Sequence, residues 1–420
     1  MKLFLIAAIV ALAAGPALAD EPDGLKLPPG FHASVVADGL GPIRHIAVRD
    51  NGDLYVSTPR GRTGIGGGVV AIKLKPDHTA GETQHFGVVD GGSGIRFYRG
   101  ALYATSPSRI WRIALPKNGL APKPGDEPQV IVDGMPALNG SSNRQIAFDN
   151  KGNLYVAVSG SGNFCPDPTT PKGAPPVGLK PCPDMGKRAG VWRFSASKQN
   201  QQFPAGGEQV ATGLRDLSSL DWSEADNSLY LIVHGRDGIH QTWPNAVSQT
   251  DDDAVADEMH KITKGTDIGW PYTYYDGVKK QRLVAPEYGG DGKTVASGNY
   301  DTPVATFQGG RAAPVDLTFY TGKQFPAEYR GGAFVALHGT NGPQLPGGHN
   351  GYRVAFIPMG KNGVAGAPVT FADNFAGPTS ANRNQGKAAY RPVGVAVAPD
   401  GALFVADSNK GRIWRISYGG

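Results

Sequence analysis

Short apolar stretches of alternating period recur along the chain, each broken by a turn and followed by a second apolar stretch. They are HIAVRDNGDLYVST (45–58), GIRFYRGALYATS (94–106), QIAFDNKGNLYVAV (145–158), SLDWSEADNSLYLIV (219–233), LTFYTGKQFPAEYRGGAFVAL (317–337) and GVAVAPDGALFVAD (394–407). Alternation of period two predicts strands, and turns such as Asp-Asn-Gly, Asn-Lys-Gly and Pro-Asp-Gly supply residues that tolerate positive φ. Several units add a third strand carrying aromatics: RIWRIAL (109–115), GVWRFSA (190–196), YRVAFIP (352–358) and RIWRISY (412–418). Three or four antiparallel strands repeated six times predict an all-β chain, a six-bladed β-propeller. In that fold Leu154, Tyr155, Val156 and their counterparts are blade core rather than ligands.

Composition fits this picture. The 60 glycines and 34 prolines are spread throughout, and no linker-like boundary divides the chain. Six blades in about 400 residues average about 67 each, against roughly 40–45 for a minimal blade. The excess is expected in inserted loops, of which 159–189 and 235–313 are the longest, so residues 20–420 read as one propeller domain with long insertions. Heptads and long stripes of period 3.6 are absent from the sequence.

The first nineteen residues, MKLFLIAAIVALAAGPALA, read as a secretory signal: a basic Lys2, an apolar run too short to span a bilayer, and the small-x-small site Ala17-Leu18-Ala19. The implied location is periplasmic or secreted, with no membrane span in the remainder. In such a compartment Cys165 and Cys182 most simply pair with each other, and a metal is the weaker reading without a CxxC or clustered histidines. Lacking CxxCH, the chain carries no attached haem. The 41 basic residues are interspersed with 36 acidic ones, for a net +5, which gives no nucleic-acid footprint.

The longest insertion opens with HGRDGIHQTWPN at a strand end, followed by Asp251-Asp252-Asp253, Asp257-Glu258 and GTDIGWPY (265–272). Histidine, arginine and carboxylates at a strand end can bind an anionic ligand or a hard metal ion, and equally can form a solvated polar loop. The Asp triplet lacks EF-hand spacing. Ile65-Gly66-Gly67-Gly68 precedes a strand rather than a helix, which argues against nucleotide binding, and no GxSxG elbow is present.

In order, GLRD (213–216), HGRDG (234–238), DE-x-H-K-I (257–262), GWPY (269–272), HG (338–339), GYRVAFIPM (351–359) and RPVG (391–394) resemble the glucose/sorbosone dehydrogenase family, and most closely its sorbosone dehydrogenase-like branch. The resemblance runs from LPPGFHASVVADGL (27–40) to RPVGVAVAPDGALFVADSNKGRIWRI (391–416). It implies a six-bladed propeller using pyrroloquinoline quinone (PQQ) and calcium to oxidise sugars, with electrons passed to a separate acceptor. It assigns Arg144, Arg215, His234, His338 and Arg391 to the cofactor. It also implies calcium ligation by main-chain carbonyls at Gly235 and Arg236, and more loosely a second calcium region at Asp257 and Glu258.

The family's proton-accepting histidine lies in a pattern like H-x-x-R-x-[IL]-A-F. Here the stretch is S-S-N-R-Q-I-A-F, which places Ser141 at the histidine position. A serine hydroxyl cannot take a proton at working pH without its own activating base. Ala389 and Asp216 are further departures, where a basic residue and an amide are more usual. Asp216 is itself a candidate replacement base, as are His234, His240, His338 and His349. Three functions stay open on the sequence: a PQQ- and calcium-dependent sugar dehydrogenase, an inactive ligand-binding propeller of the same family, and a calcium-dependent lactonase-type hydrolase.

Overall fold

The computed structural model describes residues 18–20, 24–59, 68–87, 91–137, 144–307, 312–341 and 351–419. Residues 1–17, within the stretch read as a secretory signal, and Ser141 and His349 lie outside the described residues. Six radial blades surround a central channel, as the repeats predict. Their strands, from the channel outward, are Ile46–Val48, Leu54–Thr58, Gly68–Leu74 and Ala80–Phe86 in blade one, and Ile95–Tyr98, Ala101–Thr105, Ile110–Ile113 and Gln129–Asp133 in blade two. Blade three has Ile146–Phe148, Asn153–Val158, Gly190–Ser195 and Glu208–Thr212, and blade four has Asp216–Ser223, Ser228–His234, Asp257–Ile262 and Ala305–Phe307. Blade five has Pro314–Phe319, Ala333–Leu337, Arg353–Ile357 and Val369–Ala372. Blade six has Pro392–Val397, Leu403–Asp407 and Ile413–Tyr418, and its outer strand is Phe31–Ala37 from the opposite end of the chain. Pairing of Phe31 with Tyr418 and Ala37 with Ile413 closes the ring.

The recurrent Leu-Tyr-Val strand is second in each blade and is covered on both sheet faces, so it reads as a continuous apolar run. Leu54, Tyr55 and Val56 are fully buried. The turn before it in blade one needs φ 90° at Gly52, which glycine adopts without steric cost. Aromatics of the third strands fill the seams between blades: Trp192, Phe356 and Trp414 are buried, and Trp414 meets Phe375 and Tyr390 edge-on.

Inner strands of blades four, five and six are bulged near their first residues, at Leu217/Ser219, Pro314/Asp316 and Pro392/Gly394. A bulge re-aims the side chains around it. Here it follows Arg215-Asp216, Ala313 and Arg391, which stand at one mouth of the channel.

The segment 235–313 is not wholly an insertion. Asp257–Ile262 and Ala305–Phe307 are the third and fourth strands of blade four, and Asp257–Ile262 lacks the aromatics that mark the third strands of blades two, three, five and six. Between them the chain adds the hairpin Thr273–Asp276 and Gln281–Val284, and before them two helical turns, Ile239–Thr242 and Gln249–Asp253. This addition docks on the other insertion. The Cys182 N–H donates to the Tyr272 hydroxyl (3.0 Å), the Cys165 N–H to the Tyr288 hydroxyl (3.3 Å), and Trp270 Nε1 to the Gly162 carbonyl (2.9 Å). Cys165 and Cys182 form a disulfide buried against Trp270 and Ala189. Among the described residues no helix is long and apolar enough to cross a membrane.

Candidate active site at one mouth of the channel

Arg215 precedes the inner strand of blade four, and each of its three side-chain nitrogens donates one hydrogen bond. Nε donates to Asn163 Oδ1 (2.8 Å), Nη1 to the Gly235 carbonyl (2.7 Å) and Nη2 to Asp237 Oδ2 (3.0 Å). Gly235 is required where it stands, since an added Cβ would lie 2.4 Å from the Ala256 carbonyl oxygen. Its N–H donates to Asp257 Oδ1 (3.0 Å), and Asp257 Oδ2 accepts from the Ala313 N–H (3.2 Å). Burial pushes the Asp257 carboxyl above the usual range, against the pull of His234 and these two amides.

Asp216, the next residue along the strand from Arg215, points elsewhere. Its Oδ2 lies 3.4 Å from His234 Nδ1, and its Oδ1 accepts from the Ser159 hydroxyl (3.2 Å). His234 Nε2 is 2.7 Å from the Pro314 carbonyl, an acceptor only, so that nitrogen carries a proton. Burial opposes a charge on His234, but Asp216, Asp257 and the Pro314 carbonyl outweigh it and lift its pKa to about 9. The imidazole is therefore cationic at neutral pH, with both ring nitrogens donating. Asp216 is held below the usual carboxylate range: desolvation works against this, and His234, Arg215 and Ser159 prevail. Its side chain is 41 % exposed at the mouth.

Hydrogen bonds continue into blades five and six. The His338 N–H donates to the Ala313 carbonyl (2.8 Å), and His338 Nε2 pairs with the Ser408 hydroxyl (2.7 Å). Arg391 donates through Nε to the His338 carbonyl (3.2 Å) and through Nη2 to the Gly339 carbonyl (2.6 Å), with its guanidinium 5.9 Å from the centre of the Tyr352 ring. No carboxylate pairs with the Arg391 side chain among the described residues, and burial lowers its pKa. Its main-chain N–H donates to Asp407 Oδ1 (2.6 Å). A continuous chain of contacts thus joins Asn163, Arg215, Asp257, His338 and Arg391 around half of the mouth.

Other residues singled out by sequence stand outside this chain. Arg144 is buried, donating through Nε to the Pro107 carbonyl (3.0 Å) and through Nη2 to the Pro136 carbonyl, and burial lowers its pKa to about 10. The Arg236 side chain turns into the insertion and forms a buried two-pronged pair with Glu287 (2.7 and 2.8 Å), to which Trp243 Nε1 also donates. Glu258 pairs with Arg282 and His260, while Asp257 caps main-chain amides, so these neighbours point to opposite faces of one strand and do not share an ion. His240 bonds the Val247 carbonyl inside the insertion. Among the described residues the only trio of His, Cys, Asp or Glu close enough to hold a metal is Cys165, Cys182 and Asp184, whose thiols are spent in the disulfide.

Asn163, Ser159, Asp407 and Ser408 carry no motif and were not legible in the sequence, and Asp237, within HGRDG, was not singled out there. Nor was the layer across the channel below this mouth. There His45 lies between the Ser93 and Val315 carbonyls (2.9 and 3.0 Å), with the Gln145 amide 2.8 Å away, and Arg96 pairs with the fully buried Asp316 (3.3 Å).

A family model described as TrAA12-like matches residues 25–419. The fold is similar to that of the calcium structure of the Trichoderma reesei carbohydrate-active enzyme of family AA12 (TM-score 0.73, 16 % identity, covering 96 % of this chain and 98 % of that one). It is also similar to the holo form of the pyranose dehydrogenase PQQ domain from Coprinopsis cinerea (0.71, 17 %, 94 % and 98 %) and to the PQQ-bound aldose sugar dehydrogenase of Streptomyces coelicolor (0.57, 19 %, 93 % and 99 %). At these identities the likeness establishes the fold. An uncharacterized protein of Borreliella burgdorferi is 26 % identical over 215 residues, 50 % of this chain and 49 % of that one, so the match spans about half the length of this curated relative.

Proposed function

The chain belongs to the TrAA12-like family, and from that premise we propose that it is an oxidoreductase, a PQQ-dependent sugar dehydrogenase of the sorbosone dehydrogenase-like branch acting in the periplasm or outside the cell. The observation that carries this reading is Arg391. A half-buried guanidinium that donates only to carbonyls, with no carboxylate partner among the described residues, fits a ligand that brings its own negative charge. PQQ is a planar tricarboxylate; Arg391 would meet its charge, and Arg215, already paired with Asp237, is proposed as a second contact. The cap formed by the two insertions orients Arg215 through Asn163. Calcium, if bound, would rest on the Gly235 and Arg236 carbonyls, the first of which receives Arg215 here. The disulfide agrees with an oxidising compartment.

When bound, the quinone supplies a two-electron oxidant for a sugar hydroxyl, with electrons leaving to a separate acceptor. The chain supplies the site for the hydroxyl proton. His234 already carries protons on both nitrogens, so it cannot take another. Asp216 is ionised, partly exposed and next to that imidazolium, and it accepts the proton at a carboxylate oxygen and returns it to solvent.

The test is a titration of metal-stripped mature protein with PQQ, with and without calcium, followed by turnover with a panel of aldoses and a soluble dye acceptor. One-to-one binding with turnover is expected. Arg391→Ala should weaken PQQ binding about 10- to 100-fold, the loss of charged hydrogen bonds of about 1.5–3 kcal/mol. Absence of binding at high micromolar PQQ sinks the proposal. Tight binding without turnover of any aldose would instead identify a quinone-binding propeller that does no chemistry.

A further inference from the structure

The other end of the same channel holds a cavity of about 690 Å³, lined by the later residues of all six inner strands. It lies beyond the Arg96–Asp316 pair and opens on the face opposite Arg215 and Arg391. Its volume falls within the range of small-molecule sites, roughly 300–1,000 Å³.

Carboxylates outnumber cations in its wall. Asp149, Asp221 and Glu224 line it against one lining cation, Arg96, which is already committed to Asp316. Asp149 is satisfied locally by Asn153 and Tyr155, and Glu224 is exposed at the rim. Asp221 differs from both: its Oδ2 accepts from the Phe319 N–H (3.1 Å), and no salt bridge reaches it among the described residues. Aromatic rings from three blades, Tyr98, Phe148 and Trp222, belong to the same wall. Carboxylates that outnumber cations, together with aromatic walls, are what a desolvated organic cation requires, the first for charge and the second for cation–π contact.

We propose that this cavity is a second ligand site, that it takes a small organic cation such as a quaternary or primary ammonium compound, and that Asp221 is its charge partner. The site is independent of the quinone reading above. Burial lifts Asp221 to about 6, with Asp316 pushing the same way and Arg96 and the Phe319 and Trp222 amides pulling down. A bound cation stabilises the ionised form, so binding releases a proton at acid pH. Affinity should fall about ten-fold between pH 7.5 and pH 5.

Calorimetry on the mature protein tests this with choline, its neutral isostere 3,3-dimethylbutan-1-ol, and glucose. Expected are choline binding with a Kd below about 1 mM, at least about five-fold weaker binding of the isostere, and the stated pH dependence. Asp221→Asn keeps an acceptor for the Phe319 N–H and should abolish choline binding. Glu224→Gln, at the exposed rim, should weaken it about two-fold and keeps the test open if the first variant fails to fold. Choline affinity unchanged in Asp221→Asn or unchanged by pH, equal binding of the isostere, preferential binding of glucose, or no binding at 10 mM each overturns the proposal.

Discussion

Replacing Asp216 with Asn should discharge His234. The amide keeps the size and an acceptor for the Nδ1 proton but removes the adjacent charge. With Asp216 present, His234 titrates at about 9 against an ordinary 6.5. That gap corresponds to about 3 kcal/mol at 1.36 kcal/mol per unit. Because the Asp216 side chain is 41 % exposed, water weakens the pair, and about half of that figure is a fair expectation. In the variant, burial still lowers the histidine pKa while Asp257 and the Pro314 carbonyl still raise it, so the ring should titrate well below 9. The readout is the NMR titration of the His234 ring in isotopically labelled mature protein. Stability gives an independent check. A raised folded pKa contributes stability that is complete below the unfolded value of 6.5 and is lost as pH rises through about 9. The destabilisation caused by Asp216→Asn should therefore be larger at pH 6 than at pH 10, by about 2 °C in Tm for a chain of this size. A wild-type His234 that titrates at or below 6.5, or one that stays near 9 in the variant, refutes the reasoning. The first of these outcomes would also return His234 to the role of base.

Two further outcomes concern the cap. Arg236→Met leaves Glu287 buried with only Trp243 as a side-chain donor, and should cost about 3–5 kcal/mol. The double variant Arg236→Met/Glu287→Leu should recover most of that in a thermal melt, whereas a single-variant loss below about 1 kcal/mol would show that the pair is not sealed from water. Cys165→Ser/Cys182→Ser opens a loop closed over 17 residues and should cost about 3 kcal/mol, with new proteolytic cleavage confined to 159–189. Cleavage spread over the blades would contradict the local docking of that segment.

The strands that could be read in the sequence are those whose burial is imposed on both faces or whose turns need particular backbone angles. Leu54-Tyr55-Val56 and the glycine turns belong to this class, as do the third strands bearing Trp111, Trp192 and Trp414. Blade four was harder, because Asp257–Ile262 is rich in charges and has His260 at the register position where Trp111, Trp192 and Trp414 stand in blades two, three and six. Those charges are neutralised by partners distant in sequence, Glu258 by Arg282 and Asp257 by the Gly235 and Ala313 amides. The same distance hid Asn163, which lies in the disulfide-bearing insertion, and Ser159, which stands at the end of a blade-three strand and meets blade four at Asp216 and Leu217. Side-chain type marked Arg215, Asp216, His234, His338 and Arg391 as candidates. Which of them share a mouth depends on bulges in three inner strands, and no local pattern announces a bulge.

The arginine of the S-S-N-R stretch has a task separable from proton transfer. Arg144 spends its guanidinium on the Pro107 and Pro136 carbonyls, and its main chain on Ser93 and Thr105, which ties the loops of blades two and three together. That task uses the Nε and Nη2 donors of the guanidinium and does not involve the residue three positions earlier. Proton acceptance, by contrast, needs a group unprotonated at working pH and open to substrate. Asp216, ionised and partly exposed on blade four, is the group proposed for it, one residue from Arg215. In an extended strand, successive side chains point to opposite faces. One side thus directs Arg215 to Asn163, Gly235 and Asp237, and the other directs Asp216 to His234 and Ser159. On the proposed function, Arg215 just before this bulged strand and Asp216 at its first position divide cofactor binding and proton transfer between them, whatever residue stands at 141.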